Sequence, residues 1–341
     1  MIFFTVKLSV KILIVVRKGH MEKNNGIDTL HTVCYHKIKN GKRGVFMLVK
    51  NPLAKEEISS IRDPMILPYG DKYYMVGTSP NYWEGFCPGV KLWVSEDLIN
   101  WKFVKLIIDA EKIPDDADYT NRFWAPELFC FNNKFYCTFS AKNDAKTPEM
   151  SGFRCYVAVS DNIEGPYSVI DKPLIDTYSI DAHLYNDDGK VYAFFCAYGA
   201  ICHAVFDTET CSLMGEPTKD VLPGNEGEWD NIGVEGSFVV KRGGVYYLWY
   251  SSWTRSYEMG LATTKSLDEP FKKLSINPVI SGYGKSKLFE CCGHNSCFKL
   301  KDGRDAIAFH AHAIGESERL CINVVQYPFV KSLMPEEEVD L

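Results

Sequence analysis

Tyr69-Gly70-Asp71-Lys72-Tyr73-Tyr74-Met75-Val76 places a tight polar turn before a run of aromatic and apolar residues, the signature of a hairpin entering its second strand. The arrangement returns as Asn132-Asn133 before Lys134-Phe135-Tyr136-Cys137, and as Asp187-Asp188-Gly189 before Lys190-Val191-Tyr192-Ala193-Phe194. It returns again as Arg242-Gly243-Gly244 before Val245-Tyr246-Tyr247-Leu248-Trp249, and as Lys301-Asp302-Gly303 before Arg304-Asp305-Ala306-Ile307-Ala308-Phe309. The anchors Tyr73, Phe135, Val191, Tyr246 and Ala306 are separated by 62, 56, 55 and 60 residues. A period of this length, built from short strands with no long amphipathic helix, predicts an all-β fold. The expected architecture is a five-bladed β-propeller of four-stranded blades.

Further strands follow most of these. Leu92-Trp93-Val94-Ser95, Tyr156-Val157-Ala158-Val159-Ser160, Ala204-Val205-Phe206-Asp207 and Leu261-Ala262-Thr263-Thr264 all end in polar turns. Residues 21–341 are expected to form one propeller, with the segment 21–50 or the run Cys321 to Tyr327 completing the last blade. Residues 1–20 are set aside as an N-terminal segment of uncertain role. Lys7 and Lys11 interrupt its apolar run, which is too short for a membrane span and carries its charges in the wrong place for a signal peptide.

The chain has 341 residues, a hydrophobic fraction of 46%, a formal net charge of −6 and a pI near 5.8. That balance argues against nucleic-acid and anionic-membrane partners, which call for a broad basic surface. The twelve cysteines are scattered, several within apolar runs. In a chain of this length they read as reduced thiols of a cytoplasmic protein. Cys291-Cys292-Gly293-His294-Asn295-Ser296-Cys297 lacks the second ligand pair that a structural zinc site requires.

About ten residues before each anchor, at the start of each innermost strand, stand Asp63, Asp181, Glu235 and His294; the matching stretch of blade two is Trp124-Ala125-Pro126-Glu127. Taken singly, each acid reads as a turn or strand-end residue. Their common phase instead points to carboxylates converging on one channel, where mutual repulsion raises at least one pKa. Glycoside hydrolysis needs such a set. A protonated acid serves the leaving oxygen and an ionised carboxylate activates water, with a separation of about 6.5–9.5 Å when the reaction inverts.

At these residues the chain resembles the family 43 glycoside hydrolases, five-bladed propeller enzymes that include β-xylosidases, α-L-arabinofuranosidases and arabinanases. The resemblance runs from about Ile61 to Gln326. It is carried by Ile61-Arg62-Asp63-Pro64 with Tyr73-Tyr74 and Gly77-Thr78, by Phe123-Trp124-Ala125-Pro126-Glu127, by Ser179-Ile180-Asp181-Ala182, by Gly233-Val234-Glu235-Gly236, and by Gly293-His294-Asn295-Ser296. It implies an inverting hydrolase releasing xylose or arabinose from plant-type glycans, and, without the extra β-sandwich domain that some relatives carry, an exo-type pocket is expected. Asp63 would be the general base, Asp181 the pKa modulator and Glu235 the general acid. Trp124 and Ile180 would wall the sugar site, and Arg319 would face the sugar hydroxyls or the base. No cofactor is implied for the chemistry, but several relatives hold a structural calcium in the channel through water and the histidine that corresponds to His294.

Ser237 departs from the family, which usually has Pro there, and the cysteine-rich approach to His294 is unusual. Trp83, Phe86, Trp229, Trp253 and Tyr257 lie in loops that could rim the pocket. Two rival readings are weighed. Phe289-Glu290-Cys291 and Arg62-Asp63-Pro64 are similar to motifs of β-fructosidases, but no Asn-Asp-Pro nucleophile segment precedes Asp63. A non-catalytic carbohydrate-binding propeller would have no reason to keep three acids in its channel.

Overall fold

The computed structural model describes residues 33–39, 42–53, 58 and 60–341. The segment 1–20 set aside above lies outside them. Five antiparallel sheets follow one another along the chain as blades. Blade one is Arg62–Tyr69, Lys72–Thr78, Gly89–Ser95 and Lys102–Asp109. Blade two is Asn121–Phe131, Lys134–Lys142, Arg154–Ser160 and Ser168–Ile170; blade three is Ile180–Asp187, Lys190–Ala197, Ala200–Asp207 and Ser212–Pro223. Blade four is Glu235–Arg242, Val245–Ser252, Glu258–Thr264 and Lys272–Lys273, and blade five is Phe289–Lys299, Asp305–Ala313 and Glu318–Val325. No helix among the described residues is long and apolar enough to cross a membrane.

The repeating turns do what their composition requires. Asn132 and Asn133 (φ 50° and 61°), Asp188 and Gly189 (51° and 96°), and Gly243 and Gly244 (59° and 77°) all take left-handed backbone. Two such residues in succession make the turn whose twist matches paired strands, and Asn, Asp and Gly bear it at least cost.

The core lies between blades rather than within them. Ile66, Tyr73 and Met75 of blade one pack with Phe298, Ala306 and Ala308 of blade five. Tyr136 and Val157 of blade two meet Leu184, Val191 and Phe195 of blade three, while Tyr192 and Phe194 meet Leu248 and Tyr250 of blade four. Each two-sided sheet thereby buries both faces, and apolar area removed from water supplies the main favourable free energy, about 25 cal/mol per Å².

Blade five differs from expectation. It contains the run beginning at Cys321 as its third strand, and no fourth strand completes it among the described residues. The chain before blade one instead folds back on itself: Val33–Lys39 pairs with Lys42–Lys50, which pairs with the C-terminal Glu338–Asp340. The reason lies at Asn51, which is buried beside blade five. Its amide nitrogen donates toward Ile322 O (3.0 Å), Asn323 Oδ1 (2.9 Å) and Pro335 O (2.9 Å), and its Oδ1 accepts the Ile322 N–H (3.0 Å). A side chain thus occupies the strand edge where a backbone ladder would have run. Among the described residues, Leu53 N to Leu320 O (2.8 Å) and Ile61 N to Glu318 O (3.2 Å) continue the pairing. Between blades five and one, the Ser296 hydroxyl accepts the Ile66 N–H (3.1 Å) and donates to Pro64 O (3.0 Å).

Replacing Asn51 by Ala leaves the Ile322 N–H and the carbonyls it served unpaired. A buried unpaired polar group costs about 1–3 kcal/mol. Urea unfolding is expected to show Asn51→Ala destabilised by at least that amount, with Asn51→Asp, which keeps only the acceptors, also destabilised.

Candidate active site

The first strand of every blade begins with a break in register. The breaks fall between Arg62 and Met65, Trp124 and Glu127, Ile180 and His183, Glu235 and Phe238, and Gly293 and Asn295. Within them Asp63 (φ 51°), Ala125 (42°), Asp181 (60°), Gly236 (61°) and His294 (46°) all sit in left-handed backbone. Such bulges re-aim side chains, and a left-handed conformation costs a residue with a Cβ about 1–2 kcal/mol. Four of the five bear that cost, Gly236 being free of it, and the recurrence marks a shared device.

The backbone N–H exposed at each bulge has a designated acceptor in the preceding blade. The Cα partners of Arg62, Trp124, Ile180, Glu235 and Gly293 on the second strands are Thr78, Ser140, Cys196, Ser251 and His310. Thr78 Oγ1 accepts the Ala125 N–H (2.7 Å), Ser140 Oγ that of Asp181 (2.9 Å), Ser251 Oγ that of His294 (2.8 Å), and His310 Nδ1 that of Asp63 (3.1 Å). Blade three carries Cys196 at this position, and the Gly236 N–H bonds Asp181 Oδ2 instead (3.1 Å). This register also refines the expected phase. Asp63, Asp181 and His294 are equivalent, whereas Glu235 stands one residue earlier, level with Arg62, Trp124 and Ile180.

Both layers face one cavity of about 420 Å³, lined by Arg62, Asp63, Trp124, Ile180, Asp181, Glu235 and His294, with Thr78, Tyr82, Trp83, Met150, Tyr178, Trp253 and Tyr257. The three acids are buried but held in opposite states. For Asp63, burial acts to raise the pKa, but the His294 imidazole, the Arg62 guanidinium and the Thr78 hydroxyl outweigh it and hold the carboxyl below its ordinary value. Asp181 is pushed up to about 8, first by burial and then by the charge of Asp63, against the pull of the Gly236 N–H. Glu235 is also pushed up to about 8, by burial and then by Asp181, although the Tyr257 hydroxyl donates to its Oε1 (2.9 Å). Asp181 and Glu235 therefore behave as a pair that retains a proton near neutral pH beside an ionised Asp63.

Second partners fix these groups. Thr78 donates to Asp63 while accepting from Ala125. Burial holds His310 well below the usual imidazole range, so its Nδ1 is free to accept the Asp63 N–H. The ring of Tyr257 stacks on His310, with centroids 5.3 Å apart. Gly293 makes this possible, since a Cβ there would lie 2.2 Å from the Tyr257 ring.

His294 Nδ1 lies 3.5 Å from Asp63 Oδ1 and 3.7 Å from Asp181 Oδ2. The surroundings do not fit a calcium held by protein oxygens, which takes about 6–8 oxygen ligands. Beneath the bulges, Glu127 is engaged by His183 (2.7 Å), whose ring packs against Phe238 (4.1 Å). Among the described residues no group of three or more His, Cys, Asp or Glu side chains is arranged to hold a metal.

Trp124 and Ile180 line the cavity wall. The Trp124 indole donates to Tyr82 O (2.8 Å), stacks on Phe153 (4.1 Å) and meets Trp83 edge-on (5.0 Å). Arg319 does not line the cavity; it lies on the third strand of blade five and pairs with Glu316 (3.1 Å). The cation that does line it is Arg62, within 5.3 Å of the Trp83 ring and 5.9 Å of the Tyr257 ring. Of the loop aromatics, Trp83, Trp253 and Tyr257 line the cavity, while Trp229 is buried against Tyr250 and Phe86 lies outside it. Glu290, of the β-fructosidase reading, is exposed and also outside.

A family model described as "Glycosyl hydrolases family 43" matches residues 50–327. The chain is 29% identical over 272 residues to a xylan 1,3-beta-xylosidase of Vibrio sp, covering 75% of this chain and 48% of that protein. It is 28% identical over 263 residues to Xylosidase/arabinosidase 43B of Humicola insolens, covering 71% and 46%. The chain spans about half the length of the curated relatives it matches. A solved structure titled as a thermostable family-43 glycoside hydrolase superposes with a TM-score of 0.70 at 26% identity, covering 85% of this chain and 95% of that one.

The raised pKa values of Asp181 and Glu235 have a consequence for stability that does not depend on turnover. A folded-state pKa above the unfolded value makes the native state hold more protons, so stability is lost as pH rises from the ordinary carboxylate range through about 8. Each tenfold gain in proton affinity on folding corresponds to about 1.4 kcal/mol. Asp181→Asn and Glu235→Gln are expected to melt above the wild-type protein at pH 8–9, with a lead that shrinks toward pH 5 in thermal scans.

Proposed function

The chain belongs to glycosyl hydrolase family 43, and from that premise we propose that it hydrolyses O-glycosyl bonds, releasing xylose or arabinose from the end of a plant-type glycan with inversion. The observation that supports this most directly is the opposed protonation of three carboxyls on one cavity: Asp63 low, Asp181 and Glu235 high. In the proposed reaction Asp63 takes a proton from water as the water oxygen bonds the anomeric carbon. The bond from that carbon to the leaving oxygen breaks with its electron pair, and Glu235 gives that oxygen its proton. Asp181 and Glu235 share one retained proton; in this step Glu235 holds it, and the ionised Asp181 beside it keeps it there by its charge. Tyr257 fixes which oxygen of Glu235 is engaged, because its hydroxyl occupies Oε1.

Trp83, Trp124 and Trp253 give the sugar apolar faces, and the cavity is at the small end of the usual range of about 300–1,000 Å³. That size supports removal of terminal units. A cytoplasmic setting is supported by the described cysteines, which are all free thiols and mostly buried. No metal takes part in the proposed steps.

A panel of p-nitrophenyl β-D-xylopyranoside, α-L-arabinofuranoside and β-D-galactofuranoside tests the proposal. Turnover of the xyloside or arabinofuranoside is expected, with NMR of the first product showing inverted configuration. Asp63→Asn and Glu235→Gln should each reduce kcat by roughly 10²–10⁴-fold. The rate should decline as pH rises through about 8, where Glu235 loses its proton, and the acid limb should lie below the ordinary carboxylate range, following Asp63. Saturable binding of xylo-oligosaccharides with no hydrolysis of any panel member would favour the non-catalytic binding reading.

A further inference from the structure

Four of the five bulge N–H groups are taken by a hydroxyl or imidazole of the preceding blade: Thr78, Ser140, Ser251 and His310. The fifth position is Cys196, fixed as the equivalent residue by its pairing with Ile180. A thiol is a weak hydrogen-bond acceptor. The Gly236 N–H it would otherwise receive goes instead to Asp181 Oδ2, across the boundary between blades three and four. Gly236 directly follows Glu235, so this one bond ties the Asp181 carboxylate to the backbone that carries the adjacent acid. Cys196 itself is buried with Phe153 and Ile180, packed by Trp124 and Tyr178, which places its side chain against the cavity wall.

We infer that Cys196 is a positioning residue: its thiol, standing where the other blades present an acceptor, leaves the Gly236 N–H to Asp181 and thereby holds that acid beside Glu235. A hydroxyl at this position would compete for the same N–H, which has one proton to give. Asp181 would then lose its backbone donor and its fixed orientation in the cavity. The catalytic consequence rests on the function proposed above, whereas the hydrogen-bond exchange does not.

The comparison that tests it is Cys196→Ser against Cys196→Ala, since only serine restores an acceptor. In protein labelled with ¹⁵N-glycine, the amide proton of Gly236 is expected to move upfield in Cys196→Ser, because a neutral hydroxyl replaces a charge-assisted acceptor, and to stay near its wild-type position in Cys196→Ala. On the best aryl glycoside of the panel, Cys196→Ser should lower kcat by roughly 5-fold, the scale of one hydrogen bond, with KM little changed; Cys196→Ala should stay within about twofold of wild type. An unmoved amide in Cys196→Ser overturns the inference, as does an equal displacement in Cys196→Ala, which would assign the effect to volume. A displaced amide with unaltered kcat overturns the positioning role. The amide measurement needs no turnover, so a chain inactive on the whole panel would defeat the proposed function while leaving this exchange to be decided separately.

Discussion

Five backbone N–H groups, one at the inner start of each blade, must each find an acceptor once a left-handed residue has broken the ladder. The acceptor comes from the neighbouring blade, so the cost of the four unfavourable conformations and the cohesion of the ring are settled by the same bonds. A blade that shifted would strand both its own bulge and the acceptor it offers. The apolar packing between sheets supplies most of the free energy, but it is non-directional. The N–H relay supplies direction, and the side chains of Asp63, Asp181 and His294 inherit it.

The electrostatic pattern follows from where the relay places its members. Burial alone would raise all three acids. Asp63 escapes because Arg62, His294 and the Thr78 hydroxyl surround it. Glu235 and Asp181 stand next to each other and to an ionised Asp63, and Asp181 has the Gly236 N–H on its side. One sugar-sized space therefore holds an ionised carboxylate and a retained proton together, an arrangement that water would level if it filled the site. The aromatic wall and the proton chemistry are parts of one device.

Much of this was legible in the sequence because it is local. Two-residue turns, alternating strands and a period near 60 need no tertiary information, and the acids lie at a repeating offset from those turns. The rest depended on register. Spacing from the anchors already sets Glu235 one position ahead of Asp63 and Asp181, but a bulge adds residues to one strand only, so spacing sets His294 further out still, and only the register shows it level with Asp63 and Asp181. The same limit applied to cations, since Arg62 and Arg319 both lie close to recognisable motifs and only strand placement separates them. Trp229 and Trp253 both sit in loops, yet one packs on Tyr250 and the other lines the cavity. The acceptor series Thr78, Ser140, Cys196, Ser251 and His310 is spaced like the blades, but with five different neighbours it has no motif.

The seam between blades five and one has no strand common to both among the described residues; apolar contact holds it, with the Ser296 hydroxyl bonded to Pro64 and Ile66, His310 accepting the Asp63 N–H and the Tyr73 hydroxyl accepting the Lys301 N–H. Each blade is consequently one unbroken stretch of chain. During synthesis, which runs at about 5–20 residues per second, a nascent sheet can assemble from its own neighbours before the next emerges from the ribosome. The long-range join is deferred to the end, when Phe289–Lys299 arrives against a first strand, Arg62–Tyr69, translated more than two hundred residues earlier. Non-local contacts are slow to form, and this topology defers them to the last blade and to the Glu338–Asp340 strand that follows it.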